Sequence, residues 1–255
     1  MGTSYGPSIV RDASLVLHLD AAERVSYTSG SSGTTWTDLS GNGNNATLSG
    51  STTAPNHNIG TVSASLQTIA FDAAVDGANN DSEKVTIPVA NLKDYTKGSL
   101  EFIYKMDSDG YVSPGLLTFG DGSANNWLLF QSNNDDLVIK VTSGGSTTIN
   151  LITADTAPTI ERGKFFHVVF TSDASTNNVY VNGAKQSITV LDGSNNGTWF
   201  SAAPSPSFAE IGHLRRAHSS HGLKGQIPIC RVYDKALSEK EILQNFNAQR
   251  GRFGV

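Results

Sequence analysis

Residues 225–255 read GQIPICRVYDKALSEKEILQNFNAQRGRFGV, and this stretch decides the fold. It joins a short apolar strand to one well-specified helix, in a chain that otherwise reads as strand and turn. Arg231-Val232-Tyr233 alternates as a strand does, and Asp234-Lys235-Ala236-Leu237 turns the corner. Ser238 is a good N-cap, and Glu241 three residues later closes a capping box, each side chain serving the other's backbone N–H. Leu237 and Ile242 stand where a hydrophobic staple needs them. Ile242, Leu243 and Phe246 share a helical face, which predicts a helix docked on an apolar surface.

Upstream of this segment, apolar runs recur at the spacing of a β-sandwich. Strands are predicted at residues 15–20, 68–72, 85–88, 99–105, 115–119, 127–131, 137–141, 147–152, 165–171, 178–181, 185–188, 208–212 and 225–233. Residues 165–171 are almost continuously apolar and should be buried on both faces. Asn182-Gly183 is a strong hairpin signal, because both residues tolerate positive φ. Ser40-Gly41-Asn42-Gly43 is the densest turn signal in the chain. The pattern predicts an all-β, two-sheet antiparallel jelly-roll sandwich with one short C-terminal helix. An extended arm at residues 1–13 precedes a single domain at 14–255.

Composition limits function. Of the 255 residues 16% are charged and 38% hydrophobic, which suits short strands joined by many polar turns. The net charge of −5 argues against a nucleic-acid or anionic-membrane partner. No run of ~18 apolar residues predicts membrane insertion. The N-terminus MGTSYGPSIVRDAS lacks the basic and apolar regions of a signal peptide, so synthesis without export is expected. The single cysteine, Cys230, lies in an apolar strand and reads as a buried structural thiol.

The opening of the chain supplies a second set of motifs. Leu15-Val16-Leu17-His18-Leu19-Asp20-Ala21-Ala22 is followed by Gly33-Thr34-Thr35-Trp36-Thr37-Asp38-Leu39-Ser40-Gly41-Asn42-Gly43-Asn44. Phe71-Asp72, residues 84–88, Phe166-His167-Val168-Val169, residues 179–183 and Ile211-Gly212 continue the series in order, and the C-terminal segment closes it. This ordered set resembles the laminin-G-like, or concanavalin A-like, jelly-roll family, in a form common in bacteriophage virion proteins. The resemblance spans residues 9–255. It implies a non-enzymatic virion surface protein, assembled in the host cytoplasm, that acts as a capsid decoration or as a tail- or fibre-associated module. Its partners would be other virion proteins and a host-cell glycan, with a homo-oligomer as the form of assembly. A cellular lectin module is the alternative, and a glycoside hydrolase stands third.

Candidate sites follow. Glucanases of this fold carry carboxylates at E-x-D-x-x-E or E-x-D-x-E spacing on one strand face. Glu101 is followed by no such partner, so no catalytic residue is assigned. The family's calcium sites imply Asp20, Asp38, Asn42 and Asp72 as ligands here, since calcium takes six to eight oxygens. The alternative is that Asp38 and Asn42 satisfy the N–H groups of a tight turn. The related domains carry an Asp-Asp pair where this chain has Pro228-Ile229. Sugar binding calls for an exposed ring beside amides and carboxylates. Asp192, Asn195, Asn196 and Trp199 have that chemistry in an apparent loop, whereas Trp36 and Trp127 read as core. Arg215 and Arg216, between His213 and His218 and His221, are candidates for an anionic sugar. A zinc site and an exposed loop making subunit contacts are the other readings of that cluster.

Overall fold

The computed structural model describes residues 7–27, 34–49, 56–59, 67–72, 83–108, 113–133, 136–154, 160–216 and 219–255, with side chains left undescribed at 56–59, 72, 216 and 219–221. Residues 1–6 of the expected arm, His218 and the side chains of Asp72, Arg216 and His221 therefore lie outside the described residues.

Chain order begins with β1 (Leu15–Asp20), β2 (Thr35–Trp36), β3 (Ala46–Ser49), β4 (Asn56–Ile59), β5 (Gln67–Asp72) and β6 (Lys84–Thr86). It continues through β7 (Gly98–Met106), β8 (Gly115–Gly120), β9 (Trp127–Asn133), β10 (Asp136–Ser143), β11 (Ser146–Thr153) and β12 (Phe165–Ser172). The last strands are β13 (Asn177–Val181), β14 (Ala184–Lys185), β15 (Ile188–Gly193), β16 (Phe208–Ile211), β17 (His213–Arg216), β18 (Ser219–Gly222) and β19 (Lys224–Tyr233), before the helix α1 (Glu239–Phe253). An eight-stranded sheet runs β14-β13-β12-β7-β19-β5-β4, with β1 also paired to β19. A nine-stranded sheet runs β15-β11-β10-β9-β8-β16-β6-β3-β2. Every ladder is antiparallel. The architecture is the predicted jelly-roll sandwich.

Alternation explains the core. Leu100, Phe102, Tyr104, Phe166, Val168 and Phe170 from one sheet meet Phe119, Leu128, Phe130, Ile139 and Ile149 from the other, all within one buried cluster. Two parts of the sequence reading need correction. Residues 188–193 form β15 and cross to the edge of the nine-stranded sheet, where Ile149 faces Gly193 and Asn150 faces Asp192. Its exposed Val190 and Leu191 give no inside-outside alternation, so the pattern hid a strand held by backbone pairing. Residues 213–216 and 219–222 likewise pair as antiparallel strands, with His213 opposite Gly222. Among the described residues no helix is long and apolar enough to cross a membrane.

Helix α1 covers the outer face of the eight-stranded sheet. The capping box forms as expected: Ser238 Oγ accepts from the Glu241 N–H, and Glu241 Oε2 accepts from the Ser238 N–H at 2.8 Å. Gly254 closes the helix at φ +69°. Leu237 and Ile242 are buried with Val169, Tyr180 and Tyr233, while Phe253 joins Ile103 and Ile229. Leu243 is 48% exposed, contrary to the expected face. The buried line instead runs through Ile242, Asn245, Gln249 and Phe253, and two of its four members are polar.

Those polar residues answer a charged layer on the sheet. Glu101, Arg231, His167 and Asn245 are fully buried. Glu101 Oε1 accepts from Arg231 Nη1 at 2.7 Å and lies 3.0 Å from His167 Nε2. Its Oε2 accepts from Asn245 Nδ2 at 2.7 Å. Burial pushes the Glu101 carboxyl up, but Arg231, His167 and Asn245 outweigh it and hold it at about 2. Asn245 Oδ1 also accepts from the Val10 N–H at 2.7 Å, which fastens residues 7–13 along the helix.

Candidate binding site

A turn-rich segment builds one wall of a pocket at the edge of the sandwich. The Asp38 carboxylate accepts from the N–H groups of His18 (2.9 Å), Ser40 (2.8 Å) and Asn44 (3.0 Å), and from the Ser40 hydroxyl (2.7 Å). Gly41 and Gly43, at φ +93° and +73°, let the chain fold around it. The loop then grips the start of β1, as Asn42 Nδ2 donates to Leu15 O at 2.9 Å and Asn44 Nδ2 donates to Val16 O at 2.8 Å. The 3₁₀ turn Val89–Asn91 and the β19–α1 corner close the other sides.

The pocket has a volume of about 370 Å³, inside the roughly 300–1,000 Å³ range of small-molecule sites. Ala13, Val16, Asn42, Asn44, Asn91, Tyr95 and Asp234 line it. Burial, together with the nearby Asp234 carboxylate, pushes the Tyr95 phenol above its ordinary range. The set combines three amides, a carboxylate and a ring, which is the chemistry of sugar recognition. Asn42 is the one residue of this set that the sequence singled out. Tyr95, Asn91 and Asp234 were missed because the topology, not the sequence, brings them to the Asn42 loop.

Among the described residues, Trp199, Asn195, Asn196 and Arg215 of the expected glycan set are engaged within the fold. Trp199 is a core residue, 1% exposed, with its ring 5.1 Å from that of Phe130 and 5.3 Å from that of Phe200. Room for it comes from Gly98, where a Cβ would stand 2.8 Å from the indole nitrogen. Asn195 clamps the Asn177 backbone, accepting from its N–H at 2.6 Å and donating to its carbonyl at 3.0 Å. Asn196 caps its own turn by accepting from the Thr198 N–H at 3.1 Å. Asp192 lies exposed near the end of β15, opposite Asn150. Arg215 stands over the Phe208 ring at 4.6 Å and donates to Glu210 at 3.0 Å. His213 is buried against the same carboxylate at 2.6 Å.

Of the expected calcium ligands, Asp20, Asp38 and Asn42 are engaged within the protein, and the side chain of Asp72 lies outside the described residues. Asp20 is held by a bidentate pair from Arg252, at 2.8 and 2.6 Å. Burial works against its charge, yet Arg252 and Arg231 keep the carboxyl below its ordinary value. Asp38 spends its oxygens on backbone N–H groups of the loop, as the tight-turn reading had it, whereas Asn42 turns its N–H₂ toward the carbonyls of Leu15 and Val16. Among the described residues no three His, Cys, Asp or Glu side chains come together as metal ligands.

Other surfaces offer less. On the outer face of the nine-stranded sheet, Trp127 packs under Leu214 of the β17–β18 hairpin and under Lys140, whose Nζ is 5.7 Å from its ring. A second cavity, about 450 Å³, lies beside Phe165 and Phe253, but those rings pair with each other at 5.4 Å.

The fold is a two-sheet jelly-roll sandwich of the concanavalin A-like kind. A model of the concanavalin A-like lectin/glucanases superfamily, in its laminin-G form, matches residues 76–243, about two thirds of the sequence, and the chain belongs to that superfamily. No curated protein matches it in sequence. Among solved structures, domain 4 of AbnA, a GH43 arabinanase from Geobacillus stearothermophilus in complex with arabinotriose, is similar at TM-score 0.60 and 14% identity, over 91% of this chain and 97% of that one. The CBM40 of Ruminococcus gnavus IT-sialidase bound to α2,3-sialyllactose matches at TM-score 0.54 and 15% identity, over 69% and 94%. Trypanosoma rangeli sialidase matches at 0.60 and 18%, over 98% of this chain and 36% of that one. At these identities the likeness is one of fold.

Proposed function

We propose that this protein is a non-enzymatic glycan-binding module, and that the edge pocket beside Tyr95 is where it holds its ligand. The observation that carries this reading is the convergence of Asn42, Asn91, Tyr95 and Asp234 from three distant segments on one polar cavity. The buried carboxylates support a binding rather than a hydrolytic role. Glu101, Glu210 and Asp20 are each engaged by an arginine, so none stands free as an acid or nucleophile. A glycan array probed with the recombinant protein, with and without EDTA, tests the proposal. Selective binding that survives EDTA and is lost in Tyr95→Ala is the expected result; binding unaffected by Tyr95→Ala would reject the pocket.

The carrier we propose is a bacteriophage particle, where the module decorates the capsid or joins the tail or fibre, in contact with other virion proteins. This placement rests on the resemblance of residues 33–44 and 225–255 to phage virion proteins. Mass spectrometry of purified particles checks it, and absence of the chain from them would refute it.

A further inference from the structure

Resting on the glycan-binding reading, we infer that the edge pocket selects neutral or amine-bearing sugars and rejects acidic ones. The inference comes from which atoms the fold leaves unsatisfied. Asn42 Nδ2 faces the carbonyls of Leu15 and Val16 at 2.9 and 3.2 Å. Only the N–H₂ end of an amide can do that, so Oδ1 is the end left for a ligand. Asn44 is fixed the same way by Val16 O, and its Oδ1 accepts from Asn91 Nδ2. Asn91 is thereby oriented too, and its own Oδ1 has no partner among the described residues. Among the described residues the Asp234 carboxylate takes no hydrogen bond or ion pair, and its backbone N–H is spent on Ser14 O at 3.0 Å. The pocket therefore offers acceptors from Asn42, Asn91 and Asp234, with the Tyr95 hydroxyl able to act either way.

Among the described residues no Lys, Arg or His lines this cavity. The nearest cation in sequence, Lys235, is bound by Asp12 and Glu241, both at 2.7 Å. Lys93, at the other wall, is tied to its neighbour Asp94 at 2.9 Å. A sialic acid, uronic acid or sulfated sugar would bring a second anion toward Asp234 with nothing to neutralise it, and like charges at close range repel. Hydroxyl and ammonium groups, as donors, match the acceptor-rich wall. The net charge of −5 acts in the same direction at longer range.

The test is a glycan array carrying neutral, amine-bearing and acidic glycans in matched pairs, probed with the wild-type protein and with Asp234→Asn. The wild type should bind each neutral or aminated member at least about tenfold more tightly than its acidic partner. Asp234→Asn should narrow that gap by letting acidic members in. Equal or better binding of acidic members, or a gap unmoved by Asp234→Asn, would overturn the inference while leaving glycan binding intact. Binding to no glycan of any class would instead defeat the binding reading on which it rests.

Discussion

Asn245 shows how much one residue decides. The helix could dock on an apolar sheet face with apolar residues alone, yet its centre carries an amide that meets Glu101 Oε2, the Tyr233 hydroxyl and the Val10 N–H together. Removing this amide would leave buried polar groups unsatisfied, at a cost of about 1–3 kcal/mol, although Glu101 would keep its arginine. His18 belongs to the same layer and faces Arg231 across β1 and β19, with Arg11, Asp20 and Glu101 nearby. Burial, and then Arg231, hold its imidazole neutral down to about pH 3, against an ordinary value of 6.5. Between those values the unfolded chain binds a proton that the folded chain refuses, so stability is lost as pH falls through the window. Glu101 adds to this loss only from about 4.5 down to about 2, since its carboxyl is depressed in the folded state. Denaturant unfolding between pH 6.5 and 5 should therefore show a His18 contribution approaching about 1.4 kcal/mol per pH unit, absent in His18→Gln. The same slope in both proteins would show that His18 is not held neutral. Sequence reading weighed Glu101 only as a catalytic carboxylate without a partner, since a lone Glu between apolar residues carries no sign of the arginine it meets across the sheet.

At the scale of elements, local signals were legible and edges were not. The capping box and staple of α1 were readable because they depend on residues a few positions apart. The face that α1 buries was misread at Leu243, because it is set by the Glu101–Arg231 pair on distant strands. Strand β15 escaped notice because an edge strand with exposed Val190 and Leu191 has no alternating pattern to detect. Trp199 was assigned to a sugar-binding loop on its polar neighbours, but Asn195 and Asn196 turn the chain and send the indole into the space above Gly98. For α1 itself, Ser238→Ala removes one half of the box and should cost about 1 kcal/mol, read as a fall of about 2–4 °C in Tm. An unchanged Tm would mean that packing against β7, β12 and β19 alone fixes the start of the helix.

The whole molecule is a sandwich whose two sheets fill one core, with a helix over one outer face and a hairpin over part of the other. That coverage decides where a ligand can go. The outer face of the eight-stranded sheet lies under α1, and Trp127 on the opposite face lies under Leu214 and Lys140. Among the described residues, this coverage leaves open a polar edge pocket at Asn42, Asn91, Tyr95 and Asp234. The superfamily could be read from motifs spread along the chain. The pocket could not, because its walls come from residues 13–16, 42–44, 91–95 and 234, which only the jelly-roll topology brings together. The measurement that tests this account most directly is a crystal structure of the protein soaked with the glycan it binds best. Sugar density beside Tyr95 and Asp234, with hydroxyls on the Asn42 and Asn91 oxygens, is predicted. Density on the outer face of the nine-stranded sheet beside Trp127, with the edge pocket empty, would contradict it.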